Sequence, residues 1–289
     1  MAQIATITVE TAGGPVDLPV YEPGDSGSKR IEAFRVQTAS GPGFVPLAAV
    51  DEADRPYLRV QTANGVKAVD TSASGIPDSV VTQYRFEDDS DTTTAMDSVE
   101  SNDAVISGPT YTTDSFKGDL AISDVGSDGS DNRVESNTSV DLVTSGDAQA
   151  ASVGGFIKAS NYTNFEYPLS WGSDNSNNLS VTTWDTNTWR ARLDIGGTEV
   201  LVDSGVSISS SNYQPVFAVV DQSELGIIVG STLQATDSHS LDLTQIGSGT
   251  LKAIQGHTSQ FNIFGGEVDD ATYADGRLSE ANVQRLTDR

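Results

Sequence analysis

The chain has 289 residues, more than one average domain and enough for a core that needs no covalent staples. It contains no cysteine, which excludes a disulfide framework and any thiolate metal site. Its 41 acidic residues against 16 basic ones give a net charge of −25, which excludes the basic patch that nucleic-acid binding requires.

The opening stretch, from Met1 to Tyr21, alternates apolar and polar residues. It has no apolar core of the kind a secretion signal carries and no twin arginine, so the mature chain is expected to start near residue 1. No apolar run approaches the length of a membrane span, so no membrane insertion is expected. Ile4 to Val9 alternates as a strand does. A short repeat follows. Arg35-Val36-Gln37-Thr38-Ala39-Ser40-Gly41 recurs 24 residues later as Arg59-Val60-Gln61-Thr62-Ala63-Asn64-Gly65. Each copy is a β-prone run closed by a Gly-containing turn, and each is followed by another β run, Phe44–Leu47 and Val66–Val69. The pattern predicts a small β module of hairpins. Such a module buries little core alone, so docking onto a partner or onto its own copies is expected, with a simple spacer as the alternative.

The charge steps near Thr71-Ser72-Ala73-Ser74-Gly75-Ile76-Pro77, a small-residue stretch ending in proline. Residues 1–75 carry a net −3 and residues 76–289 a net −22, which places a domain boundary there. The second part reads as many short strands separated by Ser, Asp, Asn and Gly: Val80–Phe86, Ala121–Ile122, Ala151–Ile157, Leu179–Thr183, Ala191–Ile195, Val200–Val202, Val216–Val220, Leu225–Val229 and Phe261–Phe264. This spacing predicts an antiparallel sandwich or jelly roll. Leu278, Val283 and Leu286 then fall at helical spacing behind Ser279, a fair N-cap, and predict one short terminal helix.

Several of these segments resemble concanavalin A-like, laminin-G-like jelly rolls. Tyr84-Arg85-Phe86-Glu87-Asp88 with Asp97-Ser98 is similar to the family's opening strand and Asp-Ser turn, and Asp103–Gly108 to its next strand. Leu120–Ser123 and Asn132–Glu135 resemble a hairpin of that family, without its Phe near Asp124-Val125. Gly265-Gly266-Glu267-Val268-Asp269-Asp270 with Leu278-Ser279-Glu280-Ala281 resembles the closing strand and helix. The family's mid-domain Trp-His-His strand is absent, and Tyr213–Val219 stands there. The resemblance covers residues 78–289 and implies a concanavalin A-like β-sandwich, a fold that hosts lectins, adhesion modules and a few hydrolases. The Asp-rich composition, 29 Asp to 12 Glu with five Lys, resembles that of proteins from extreme halophiles. At ~1 M salt, screening over a few ångströms removes the self-repulsion of such a surface. The tandem repeat resembles modules at the base of tail-fibre and virion-surface proteins of tailed haloarchaeal viruses.

Three constellations bear on chemistry. His239 and His257 lie in polar loop-like contexts, and neither a Gly-x-Ser-x-Gly elbow nor a His-Glu-x-x-His motif occurs. Glu267-Val268-Asp269 begins like the catalytic strand of laminarinase-type glucanases of the same fold, but Thr272 stands where the second Glu must be. A retaining mechanism needs two carboxyls about 5 Å apart, so no catalytic residue and no enzyme is expected. Calcium is the candidate cofactor. Asp128 and Asp131 sit in a hairpin turn that often lies near calcium in the resembled family, and Asp97 and Asp269 are further oxygen donors, with plain hydrated carboxylates as the alternative. Finally, Tyr162, Phe165, Tyr167, Trp171, Trp184 and Trp189 crowd together among Asn161, Asn164, Asp174, Asn175, Asn177 and Asp185. Aromatic faces beside carboxamides and carboxylates suit sugars. Tyr162, Phe165, Tyr167, Trp171, Asp174 and Asn175 are therefore the candidate glycan site, although aromatics at strand ends also serve as core.

These readings combine into an expected role. The chain is a virion surface protein in a high-salt setting, attached to other virion proteins and to its own copies through residues 1–75. Its sandwich displays a lectin-like face to host glycans. A haloarchaeal adhesin, a carbohydrate-binding appendage and a ligand-free decoration protein are the alternatives.

Overall fold

The computed structural model describes the backbone of the strands within residues 1–75. It describes with side chains residues 77, 79–87, 93–99, 102–124, 132–143, 149–160, 162, 165–183, 187–255 and 263–288. Asp128, Asp131, Asn161, Asn164, Trp184 and Asp185 lie outside these residues, as does most of the 71–77 stretch. The chain divides into two units, Met1–Gly75 and Ile76–Arg289.

The first unit holds three antiparallel hairpins. β1 (Gln3–Thr11) pairs with β2 (Gly14–Tyr21), β3 (Ala33–Thr38) with β4 (Gly41–Pro46), and β5 (Tyr57–Thr62) with β6 (Gly65–Asp70). The sequence repeat is a structural repeat. Both copies close in the same register, Thr38 opposite Gly41 and Thr62 opposite Gly65.

The second unit is the antiparallel β-sandwich. Its strands are β7 (Val80–Tyr84), β8 (Thr94–Ala95), β9 (Ala104–Ser107), β10 (Thr110–Thr112), β11 (Ala121–Asp124), β12 (Arg133–Ser136), β13 (Ala150–Lys158), β14 (Leu169–Asp174), β15 (Asn177–Thr183), β16 (Thr188–Ile195), β17 (Thr198–Ser207), β18 (Gln214–Asp221), β19 (Glu224–Val229), β20 (Thr232–Ser238), β21 (Thr250–Ala253) and β22 (Gly266–Ala274). One helix, α1 (Glu280–Asp288), follows. The first sheet runs β10-β11-β22-β13-β18-β19-β20, with β7 also on β22. The second runs β17-β16-β15-β14-β21-β12-β9-β8. Of the expected Phe261–Phe264 strand, Ile263 makes a single bridge to Gln255.

Alternation along the strands builds the core between the sheets. Trp171, Leu179, Val181, Leu193 and Leu251 from the second sheet meet Val153, Ile157, Val216, Ala218 and Val268 from the first. Each Val, Leu or Ile side chain among them contributes roughly 1.5–3 kcal/mol of transfer free energy. The first sheet is also covered on its other face, where Phe156, Phe217, Val219 and Ile228 pack with Leu278, Val283 and Leu286 of the terminal segment. That second apolar layer explains why every residue of β13 is buried. The helix starts at the expected cap: the Ser279 hydroxyl oxygen accepts from Asn282 N, while Asn282 Oδ1 accepts from Ser279 N. Among the described residues no helix is long and apolar enough to cross a membrane.

β22 contains the one irregularity that matters for a site. Val268 and Ala271 both face the core although three residues apart. Asp270 sits between them at φ +47°, and the pairing with β13 slips there between Gly154 and Phe156. This bulge turns Asp269 onto the outer side of the first sheet, opposite Phe156.

Candidate binding face

No helix covers the outer face of the second sheet among the described residues, and its strands alternate accordingly. Leu169 and Trp171 point inward from β14, Leu179 and Val181 from β15, and Ala191 and Leu193 from β16. The residues between them point outward. Register then fixes one row across six strands: Val105, Glu135, Lys252, Ser170, Ser180 and Arg192. A neighbouring row holds Gly172, Asn178, Asp194 and Glu199. From Lys252 to Arg192 is three strand spacings, about 14 Å.

The middle of this face is sunken. Ser170 and Ser180 are both 0% exposed, held between the long side chains of Lys252 and Arg192. Ser180 Oγ lies 3.5 Å from Asn178 Oδ1, whereas Ser170 Oγ has no hydrogen-bond partner. Asp194 Oδ2 accepts from Arg192 Nη2 at 2.8 Å, and its buried Oδ1 accepts nothing. A buried polar group without a partner costs about 1–3 kcal/mol, and two such groups lie on this one face, each with capacity to take a hydrogen bond.

Charge on the face is balanced. Four of the ten basic residues in 76–289 gather here, each facing an acid. Arg133 lies 2.6 Å and Lys252 3.5 Å from Glu135; Arg190 lies 2.8 Å from Asp203; Arg192 lies 2.8 Å from Asp194 and 2.7 Å from Glu199. Burial opposes the Arg192 charge, but Tyr167, Glu199 and Asp194 more than offset it and hold the guanidinium protonated. Burial likewise opposes ionisation of Glu135, and Lys252 and Arg133 reverse that, leaving its pKa below the usual value.

The aromatic residues expected to form a glycan platform divide. Trp171 is 0% exposed, its ring in the core and its Nε1 donating to Val140 O at 2.9 Å. It has no face to offer a ligand, because its place in β14 is an inward one. Tyr162 is half-buried against the same core. Tyr167 is buried too, but over the outer face, where its ring covers the Arg192 guanidinium 5.7 Å away. Phe165 is 41% exposed and held at φ +67°, a strained value for a bulky residue. Bonds on both flanks keep it there: Phe165 N donates to Thr183 O, Glu166 N to Thr183 Oγ1, and Glu166 Oε2 accepts from Gly265 N. Asp174 and Asn175 form the β14–β15 turn, where Asp174 Oδ1 accepts from Ser176 N and Asn177 Nδ2. They stand at the far end of β14 from Tyr167, about 16 Å along the strand, so the structure does not join them to Phe165 and Tyr167. The residues that make the sunken floor, Ser170, Ser180, Asp194, Arg192 and Lys252, were absent from the sequence candidates. Their signal was the polar member of each alternating pair, as in Arg190-Ala191-Arg192-Leu193-Asp194.

Of the candidate calcium ligands, Asp97 clasps a turn: Oδ1 accepts from Gln83 N and Val99 N, and Oδ2 from Asn102 N. Three backbone amides account for its burial, so it is a structural anchor in the turn. Asp269 is different. It is 0% exposed, and Oδ2 accepts from Phe116 N at 2.9 Å and Lys117 N at 2.8 Å, while Oδ1 has no partner. Burial, then the neighbouring Asp270, raises its pKa from 3.8 to about 7, and Glu87 adds to the rise. Glu87 Oε2 accepts from Asp119 N in the same β10–β11 loop, and its Oε1 is also buried and unpartnered. Two carboxylates that repel each other, each with an orphaned oxygen, fit a divalent cation bound with oxygen ligands. Among the described residues no group of three acidic, His or Cys side chains stands ready to hold a metal. Backbone carbonyls or water would have to complete such a shell.

No protein-family model and no curated protein sequence matches the chain. Its fold does match solved structures. Domain 4 of AbnA, a GH43 extracellular arabinanase from Geobacillus stearothermophilus in complex with arabinotriose, has a TM-score of 0.54 at 15% identity, covering 72% of this chain and 98% of that one. The binding domain of Paraclostridial Mosquitocidal Protein 1 has a TM-score of 0.52 at 13% identity, covering 73% and 52%. The sialidase of Trypanosoma rangeli, in complex with 2,3-difluorosialic acid, has a TM-score of 0.53 at 11% identity, covering 98% and 52%. The chain thus spans about half the length of the toxin and sialidase chains. At these identities the likeness is one of fold, a β-sandwich shared with carbohydrate- and receptor-binding domains.

Proposed function

We propose that the chain is a surface-displayed, glycan-binding protein of a virus particle that lives in brine. Its sandwich would bind host sugars through the outer face of the second sheet. The observation that carries the binding reading is the sunken, charge-balanced floor, with Ser170 Oγ and Asp194 Oδ1 buried and unpartnered. Sugar hydroxyls both donate and accept, and the face offers both kinds of partner within one patch. Phe165, exposed and held in a strained conformation at the edge, suits a sugar's C–H face. The arabinotriose complex of the arabinanase domain supports a sugar as ligand for this fold.

The chain binds sugar without cleaving it. The glucanase-like strand has Glu267 tied to Ser160 Oγ and Lys158, and Asp269 sealed under the β10–β11 loop, so no open pair of carboxyls stands at hydrolytic spacing there. Calcium, held by Asp269 and Glu87, would neutralise their repulsion and pin that loop to β22. The hairpins of residues 1–75 attach the sandwich to other virion proteins and to further copies, and linked sites commonly gain ~100-fold in avidity.

A glycan array probed with the full chain in molar salt tests the binding reading. Binding of a defined sugar set, lost in Arg192→Met, is the expected result, and silence across the array would overturn it. Antibody labelling of purified particles tests the virion reading. Label confined to cell envelopes would make the chain an adhesin instead.

A further inference from the structure

We infer that the outer face of the second sheet selects neutral oligosaccharides over anionic ones, with the ligand lying across the strands between Lys252 and Arg192. This rests on the glycan-binding reading above and adds the class of glycan. The argument is electrostatic. Arg133, Arg190, Arg192 and Lys252 are matched on the same face by Glu135, Asp194, Glu199 and Asp203, all within 2.6–3.5 Å of a partner. An arriving carboxylate or sulfate finds no cation that is not already bound to an acid of the protein. It would also approach a unit of net charge −22. Breaking one of these pairs to seat a new anion leaves the displaced carboxylate beside it, so the exchange gains nothing.

A neutral polyol needs no such exchange. The two orphaned groups have the right polarity for hydroxyls: Ser170 Oγ can donate and accept, and Asp194 Oδ1 accepts. Both are shut off from solvent amid longer side chains, so a ligand enters by shifting the flexible end of Lys252, whose 3.5 Å pair with Glu135 is the longest on the face and leaves Glu135 bonded to Arg133, while Arg192 stays paired. The distance of about 14 Å between those two residues, three strand spacings, suits a ligand of a few sugar rings rather than a monosaccharide. A ligand held this way owes little to long-range charge, and its affinity is therefore insensitive to salt.

The test is titration calorimetry of the full chain with neutral trisaccharides (arabinotriose, maltotriose, mannotriose) and with trigalacturonate and sialyllactose, in low and high potassium chloride. The expected result is binding of at least one neutral trisaccharide, with a Kd that changes less than about twofold across a salt range over which an ionic contact would be screened. Each anionic probe should bind at least about tenfold more weakly, and Ser170→Val should weaken the neutral ligand about tenfold while melting no lower than the parent, since it removes an unpartnered buried hydroxyl. Tighter binding of trigalacturonate or sialyllactose, fading as salt rises, would overturn the inference and leave glycan binding intact. Failure of every probe together with a silent array would remove the underlying reading as well. The comparison of probes on the unmodified protein stands whatever the variant does.

Discussion

Replacing Asp269 by Asn tests the reading of the buried acidic pair. Burial and Asp270 lift the Asp269 pKa from 3.8 to about 7. A raised folded-state value means that the native chain holds a proton the unfolded chain releases. Stability is then fully present below about pH 4 and is lost as pH rises toward and through 7. At 1.36 kcal/mol per unit, about 4 kcal/mol is lost by pH 8. Asn keeps the shape and an oxygen to accept from Phe116 N and Lys117 N, and it removes the charge facing Glu87. With a chelator at pH 8, Asp269→Asn should therefore melt higher by about 10 °C, since 1 kcal/mol moves a domain of this size by about 2–4 °C. The gain should shrink steadily below pH 7 and vanish near pH 4. Calcium should narrow the gap at pH 8 without closing it: at 100 times its Kd it stabilises the parent by about 2.7 kcal/mol and the variant hardly at all. Scanning calorimetry at several pH values, with chelator or calcium, reads all of this. A variant no more stable than the parent at pH 8 in chelator would refute the argument from burial, and a calcium shift undiminished in the variant would refute the cation site.

Asp97→Ala strips three backbone amides of their acceptor and should cost about 3 kcal/mol in urea unfolding, with no change in any calcium response. Gly154→Ala places a Cβ 2.2 Å from the Phe217 ring and 2.5 Å from Val216 O, in the tightly packed β13–β18 pair, and should cost about 1–3 kcal/mol by the same assay. Arg277→Met removes the bridge to Asp221 at 2.6 Å and Glu224 at 2.7 Å. Because both acids are about a third exposed and screened, the loss should stay near 1 kcal/mol or below, and should shrink further in molar salt.

The sandwich was legible because its signals are local. Runs such as Val216–Val220 and Leu225–Val229 are apolar throughout, as strands covered on both faces must be, and they became β18 and β19. The cap at Ser279 and the spacing of Leu278, Val283 and Leu286 gave the helix. Strands that went unread include β2, β8, β10, β14, β20 and β21, several of them short or polar: β8 has two residues, β10 three, and β20 reads Thr232-Leu233-Gln234-Ala235-Thr236-Asp237-Ser238 and lies exposed at a sheet edge. Edge strands are specified by a neighbour's backbone more than by their own side chains, so composition says little about them.

The site was harder to read for a related reason. Aromatic residues drew attention because they are chemically distinctive, yet in a strand the distinctive residue is more often the inward one. Trp171 entered the core through the same alternation that sent Ser170 outward. What made Ser170 a candidate was its lack of a partner, and partnership is a property of the assembled sheet. It depends on β21 supplying Lys252 on one side and β15 supplying Ser180 on the other, segments 82 and 10 residues away in the chain. The same holds for Asp269, whose Asp-Asp neighbour was visible but whose turn toward Glu87 depended on the bulge at Asp270. Each strand carries only one or two outward polar residues at the floor, so the face comes into existence when long-range pairing sets the register. A one-residue slip of β14 would turn Trp171 outward and bury Ser170 against the core, and the binding floor and the hydrophobic core would be lost together. The register that stabilises the sandwich is thus the same register that assembles the floor.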